Sequence, residues 1–300
     1  MTEPKWLVPL VAFLLIALPV VGLVLGFAVP ALQGPQDTKH LFVFGDSYST
    51  TGFSIHGDAP SVHNPLGNPH FPGYTTSGGR NWVGYLIDRV ESARLLTYNF
   101  AVSAATTDSS IVHTWAESAV DDQVDLFVQH VSNNSWTPDK ALAIIWVGIN
   151  DLGHPYWDEV VPPIDRVITR YAELLEILYA QGLRHYSLLT VPPFYKAPRF
   201  VGEMAERVEM LRQDIRAYNN GVDGLFKEFK ASHGDVVGQV FNTTPSFETA
   251  LSDPARFGAA DASCVSLDGA NCLWHDNYHP AVTIHRLLAE DLMASDEFLR

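Results

Sequence analysis

A serine follows an apolar run near the start of the sequence. Residues 41–44, LFVF, predict a buried strand, and Gly45-Asp46-Ser47 comes directly after them. Glycine, aspartate and serine all form turns, so a simple turn is one interpretation. The other is a nucleophile, because open α/β sheets place their active sites at the carboxyl ends of strands.

A serine nucleophile needs a base, and the base needs a group that orients it. The segment HDNYHP, residues 275–280, supplies Asp276 and His279 just before a predicted helix. A turn there would place the Asp276 carboxylate against Nδ1 of His279 and leave Nε2 free to face a serine. The alternative is that Asp276 only caps the last helix.

Two further strand ends offer hydrogen-bond donors to an oxyanion, which ester chemistry requires. WVGIND, residues 146–151, ends a predicted strand and places the side-chain amide of Asn150 there. NFAVSAATT, residues 99–107, ends another, and its small residues allow backbone N–H groups to approach a ligand. Each segment alone is a turn, but together they form a complementary set of reacting groups.

Alternating strands and helices predict how these segments are positioned. Such alternation is typical of a parallel sheet covered by helices on both faces, hence a three-layer α/β domain over residues 38–300. Apolar runs predict strands within 41–44, 95–102, 142–148, 185–191 and 235–241. Helical patterns cover 81–90, 116–131, 164–182, 202–232 and 281–295. Residues 52–79 have no period, and we interpret them as a long loop facing the substrate.

The first part of the chain differs from the rest. Residues 6–36 contain no charged side chain, and residues 6–32 are almost wholly apolar. That length suits a bilayer span, and small residues near its end suit a cleaved signal, so residues 1–37 are either a signal peptide or a membrane anchor. Both predict a domain outside the cytosol, secreted or tethered to a membrane.

The interpretation of the two cysteines and of two sequons depends on export from the cytosol. A close cysteine pair in an exported protein is most simply a disulfide between Cys264 and Cys272, with zinc as a weaker alternative. Asn133 and Asn242 stand in sequons for N-glycosylation.

Composition excludes one large class of partners. The chain has 300 residues and a formal net charge of −15. A surface of that sign repels phosphate backbones, so we expect no nucleic-acid partner. No cofactor is expected, and no metal.

Four segments resemble the sequence blocks of the GDSL, or SGNH, hydrolases: FGDSYSTTG, NFAVSAATT, GIND and DNYHP, in the family's order. The resemblance implies a flavodoxin-like α/β/α sandwich with five parallel strands, and ester hydrolysis by a serine. It implies Ser47 as nucleophile, His279 as base and Asp276 as its orienting acid. The oxyanion donors would be the N–H groups of Ser47 and Ala104 and the amide of Asn150.

One position departs from the family pattern, which usually has glycine where this chain has Ala104. The donor is a backbone N–H, which alanine also carries, so a negative φ makes the change harmless. A positive φ would strain Ala104 and weaken the binding of the oxyanion.

Residues 64–86 resemble the fungal acetylesterases of carbohydrate esterase family 16. This implies a short-chain ester, most simply acetyl, on an oligosaccharide. Lipid esters are one alternative, and a glycan-binding protein on an inactive scaffold is another. Candidate substrate contacts are Asp46, Tyr48, Trp82 and Trp157, with Trp146 and Trp274 as further aromatics near the blocks.

Overall fold

The structure is a computed structural model that describes residues 1–2, 38–90, 94–132 and 136–300. The predicted signal or anchor and the sequon at Asn133 therefore lie outside the described residues. Pro35–Arg300 form one compact unit.

A five-stranded sheet runs through this unit. All strand pairs are parallel, and the order is β2-β1-β3-β4-β5. This is the flavodoxin-like order, so the predicted fold class is confirmed. The strands are β1 Thr38–Gly45, β2 Arg94–Asn99, β3 Ala141–Trp146, β4 His185–Leu189 and β5 Val237–Phe241.

Helices form a layer on each face of the sheet. Helices α1, α6 and α7 contact one another on one side, and α2, α4 and α5 do so on the other. The short α3 packs against α5. The helices are α1 Trp82–Arg89, α2 Val120–His130, α3 Ile149–Trp157, α4 Ile164–Ala180, α5 Ala205–Ser232, α6 Thr244–Ser252 and α7 Val282–Ser295.

Burial on both faces explains why the strands are apolar runs. Every residue of β3, ALAIIW, is buried, and so are the last five residues of β1. A strand between two helical layers has no solvent face, so it needs no alternating polar residue. The rigid central strands hold the residues that follow them.

Two helices were not predicted, α3 and α6. The segment that begins α3 was interpreted as a turn, and it contains Pro155. Gly148 precedes the helix with φ 117°, and a Cβ there would overlap the Tyr218 ring. Glycine thus permits the sharp change of direction that converts the end of β3 into a helix.

The structure describes the cysteine pair and one of the two sequons that we connected with export. Cys264 and Cys272 are joined in a disulfide, as predicted. Asn242 is exposed, and its side chain accepts a hydrogen bond from the N–H of Thr244. Within the described residues, no helix has both the length and the apolar character needed to cross a bilayer.

Candidate active site

Ser47, His279 and Asp276 form a hydrogen-bonded chain. Nε2 of His279 lies 2.9 Å from Oγ of Ser47, although 232 residues separate them. Nδ1 of His279 lies 2.7 Å from Oδ2 of Asp276. A hydroxyl held this way can pass its proton to the imidazole while the carboxylate fixes the tautomer.

Asp276 is held as a carboxylate. Half-burial alone would raise its pKa, but the hydrogen bond and charge of His279 lower it. The backbone N–H groups of Tyr278 and His279 donate to Oδ1 at 2.7 and 2.8 Å and act in the same direction. The result is a pKa of about 2, so the group is ionised at neutral pH.

The end of β1 positions Ser47. Gly45 approaches β3 so closely that a Cβ would overlap the Trp146 carbonyl oxygen. The buried side chain of Gln123 donates to the Gly45 carbonyl at 2.8 Å and accepts from its N–H at 2.9 Å. These contacts fix the backbone two residues before Ser47.

A tyrosine joins the serine segment to the histidine segment. The hydroxyl of Tyr48 donates to the backbone carbonyl of Tyr278 at 2.6 Å. Tyr48 follows Ser47, and Tyr278 precedes His279. The bond therefore sets the separation of the two reacting side chains through their neighbours.

The expected oxyanion donors come from three segments. Asn150 lies in the first turn of α3, and its Nδ2 donates to the Ala105 carbonyl at 3.0 Å and lies 3.5 Å from Oδ2 of Asp46. Among the described residues, the N–H groups of Ser47 and Ala104 donate no hydrogen bond within the protein. They are therefore available to a ligand.

Ala104 has the positive φ that the sequence left open. Its φ is 64°, in the left-handed region, and its carbonyl accepts from the Thr114 hydroxyl at 2.5 Å. A non-glycine residue pays about 1–2 kcal/mol for this conformation. The backbone is left-handed at this position in spite of the alanine, at a cost in strain.

Two buried carboxyl groups lie beneath these segments. Burial raises the pKa of Asp46 to about 8, and the charge of Asp151 adds to the effect while the N–H of Tyr48 opposes it. Burial likewise raises the pKa of Asp151 to about 7, against the N–H of Thr107, which donates to both of its oxygens at 3.0 and 3.1 Å. Asp151 thereby connects α3 to the segment that carries Ala104.

A cavity of about 390 Å³ opens over the serine. Ser47, Ala104, Asn150 and His279 all line it, so the structure brings together the expected serine, base and donors. The other lining residues are Ser103, Trp115, His154, Trp157, Arg199, Asn277 and Tyr278.

Three of the expected substrate contacts are corrected by the structure. Asp46, Tyr48 and Trp82 have no exposed surface. The Tyr48 and Trp82 rings pack in the core, where both contact Trp146. Only Trp157 of the expected set lines the cavity.

Other residues at the site were not predicted from the sequence. Gln123 looks like an ordinary polar residue of a surface helix, and Trp115 and Arg199 stand outside every recognised block. Nothing in their local sequence separates them from other surface residues. Their roles follow from where the fold brings them.

The long loop lines a neighbouring cavity of about 710 Å³. Residues 52–56 and 74–76 contribute to its wall, and Ser103 lines both cavities. The Thr76 hydroxyl also donates to the Ser47 carbonyl at 2.7 Å. The loop is therefore attached to the serine segment.

The fold and the hydrogen-bonded serine define a parallel α/β protein with a serine hydrolase type of site at the switch point between β1 and β3. The sequence matches the GDSL-like lipase/acylhydrolase family over residues 41–292. The chain belongs to this family and is a carboxylic ester hydrolase.

Named relatives agree with this assignment. An acetylesterase of Thermothelomyces thermophilus is 38% identical over 261 residues, which cover 84% of this chain and 86% of the relative. A thermolabile hemolysin of Vibrio parahaemolyticus is 25% identical, over 90% of this chain and 66% of the relative. Among solved structures, an acetylxylan esterase of Geobacillus stearothermophilus shares the fold, with a TM-score of 0.51 and 16% identity over 88% of this chain and 98% of that structure.

Proposed function

We propose that this enzyme removes acetyl groups from carbohydrate through an acyl-enzyme on Ser47. The single observation that carries the proposal is the chain of hydrogen bonds from Ser47 through His279 to Asp276 at the floor of a cavity. The acetylesterase of Thermothelomyces thermophilus supports the acetyl group as the substrate.

The proposed reaction assigns the proton transfers to His279, the attack to Ser47 and the binding of the oxyanion to three N–H donors. His279 Nε2 takes the hydroxyl proton as Ser47 Oγ attacks the ester carbonyl. The N–H groups of Ser47 and Ala104 and the Asn150 amide bind the oxyanion. His279 then protonates the departing sugar oxygen, leaving acetyl bound to Ser47 Oγ.

Water completes the turnover. It attacks the acetyl-enzyme carbonyl while His279 again accepts a proton, and the same donors bind the second oxyanion. Collapse of this intermediate returns the proton to Ser47 Oγ and releases acetate. Asp276 keeps the imidazole oriented throughout and stays ionised, in accord with its pKa of about 2.

The wall of the cavity favours a polar alcohol. It carries the side chains of Ser103, His154, Arg199 and Asn277, together with the indoles of Trp115 and Trp157. Indoles beside polar groups suit a sugar ring, which has apolar faces and a hydroxylated edge.

We also propose that the enzyme works outside the cytosol, either secreted or tethered through residues 6–32. The apolar leader and the disulfide between Cys264 and Cys272 support this. Asn133 and Asn242 would then be open to glycosylation.

The test is hydrolysis of aryl esters from acetyl to decanoyl by the full chain and by Ser47→Ala. We expect a sharp preference for acetyl and no turnover above background in the variant. Ser252→Ala, an exposed serine far along the sequence, should retain full activity. Unchanged turnover in Ser47→Ala would refute the site, and a preference for long chains would move the assignment to lipid esters.

A further inference from the structure

The catalytic cavity carries one side chain with a permanent charge. Among its lining residues, all of which the structure describes, Arg199 is the only arginine or lysine, and none is an aspartate or glutamate. The chain as a whole has a net charge of −15. The single cation that lines the site is therefore opposite in sign to the net charge of the chain.

Arg199 is held in place without a carboxylate. Its guanidinium carbon lies 4.2 Å from the centroid of the Trp157 ring, and its backbone N–H donates to the Asn277 carbonyl at 2.8 Å. Within the described residues, its side chain forms no ion pair or hydrogen bond. The contact holds the guanidinium over the indole ring and leaves its N–H groups without an acceptor among the described residues.

Arg207 also contacts an aromatic ring but, unlike Arg199, it has carboxylate partners. Arg207 stacks on Tyr156, next to Trp157 in sequence, at 4.7 Å. Its guanidinium also lies 3.3 Å from a Glu159 oxygen and 3.8 Å from a Glu203 oxygen. Arg207 is thus satisfied by the protein, whereas the same kind of stacked cation at Arg199 faces the cavity without an anion.

We propose that Arg199 binds the carboxylate of an acidic sugar, so that the substrate is an acetylated oligosaccharide bearing a uronic acid. The planar fork of a guanidinium matches a carboxylate through two parallel hydrogen bonds. Trp115, 75% exposed on the same wall, offers a face for a sugar ring. This inference rests on the proposed function, because it names the substrate class of that same site.

The test compares two sugars that differ in one group. Glucuronate and glucose are used as competitive inhibitors of 4-nitrophenyl acetate hydrolysis by the full chain. Glucuronate should inhibit at an inhibition constant about 1.5- to 5-fold lower than that of glucose, the size expected for an exposed charge pair. The difference should shrink at high salt because ions screen it.

Three variants separate the guanidinium from general charge. Arg199→Gln should give equal inhibition constants for the two sugars, and Arg199→Lys should retain only part of the difference. Arg256→Gln is the matched control, because Arg256 also stacks on an aromatic ring, Phe257, at 5.5 Å but lies outside this cavity. It should keep the full difference.

Equal inhibition of the unaltered enzyme by both sugars would overturn the inference, as would an undiminished difference in Arg199→Gln. Stronger inhibition by glucose 6-phosphate than by glucuronate would show that Arg199 prefers a phosphate to a carboxylate. Turnover of 4-nitrophenyl acetate reports separately on the proposed function. A chain that hydrolyses the ester but ignores the glucuronate charge loses only this inference.

Discussion

Two cavities of similar size lie at opposite ends of the sheet. The one at the carboxyl ends of the strands measures about 390 Å³ and the one at the amino ends about 470 Å³. Polar and aromatic side chains line both. Only the first contains a serine bonded to a histidine.

Several polar groups at the amino end have partners within the protein. The Ser187 hydroxyl donates to the buried Asp296 carboxylate at 2.5 Å, and the Phe298 N–H donates to it at 2.9 Å. Lys39 donates to the Phe298 carbonyl at 2.6 Å. These bonds attach the C-terminal segment to the sheet.

The groups at the carboxyl end are positioned but incompletely paired. The N–H groups of Ser47 and Ala104 have no acceptor among the described residues, and Arg199 has no anion there. Volume alone would not distinguish the two ends. The two ends are distinguished by the unused donors beside the hydrogen-bonded nucleophile. These donors can bind a ligand without breaking a hydrogen bond within the protein.

The largest expected effect is at the carboxyl end, in Asp276→Asn. The amide would donate to Nδ1 of His279 and hold the wrong tautomer, with its proton on Nε2 facing Ser47. Turnover of 4-nitrophenyl acetate should fall about 10⁴-fold, with the melting temperature nearly unchanged. A loss below tenfold would show that the Asp276 carboxylate serves only to hold the turn at Tyr278 and His279, whose N–H groups donate to it.

At the amino end, Ser187→Ala should act on stability alone. It removes one partner of the buried Asp296 carboxylate, which costs about 1–3 kcal/mol in the free energy of unfolding. Denaturant unfolding measures the loss, and kcat should stay as it is. The exposed Ser232→Ala serves as control and should change neither quantity. A large fall in kcat of Ser187→Ala would mean that the two ends are coupled.

Asp151→Asn should change how stability depends on pH. The folded pKa of Asp151, about 7, exceeds the usual value of a free aspartate, about 3.9. The folded state therefore holds this proton more tightly, and its contribution to stability is lost as pH rises from about 4 to 7. The variant keeps an acceptor for the Thr107 N–H but carries no charge.

Melting temperatures from pH 4 to 8 would check this. The melting temperature of Asp151→Asn, relative to that of the unaltered enzyme, should rise by a few degrees in total as the pH increases. Asp58→Asn, in an exposed loop, should give a constant difference. A difference for Asp151→Asn that is also constant would mean that Asp151 is ionised throughout.

The smallest expected effect is in Ala104→Gly. Glycine relieves the strain at φ 64° but loses more entropy on folding, so the free energy of unfolding should rise by about 0.5–1 kcal/mol. Ala105 is next in sequence and has no positive φ, so Ala105→Gly should lower the free energy of unfolding by a similar amount. A fall in both variants would show that Ala104 is unstrained.

The sequence predicted what local pattern controls. Apolar runs between helical patterns located all five strands, and the central strands β1 and β3 are apolar because they are buried on both faces. Ser47, Asn150, Asp276 and His279 were visible as turn segments with complementary chemistry. Helix α3 was missed because it starts inside such a segment.

What the sequence could not predict depends on distant parts of the chain. Tyr48 and Trp82 looked suited to a sugar, but the helical layers bury them. Gln123 bridges Gly45 from 78 positions away, and Ser187 meets Asp296 from 109 positions away. No local pattern marks such pairs.

The bond between Tyr48 and Tyr278 has a consequence for the biosynthesis of the enzyme. It spans 230 residues and brings a nucleophile made early to a base made late. Until the segment around His279 has been synthesised and has docked, Ser47 is an ordinary alcohol with no group to take its proton. The nascent chain is therefore inert toward esters, and activity begins only when the last layer of the fold closes.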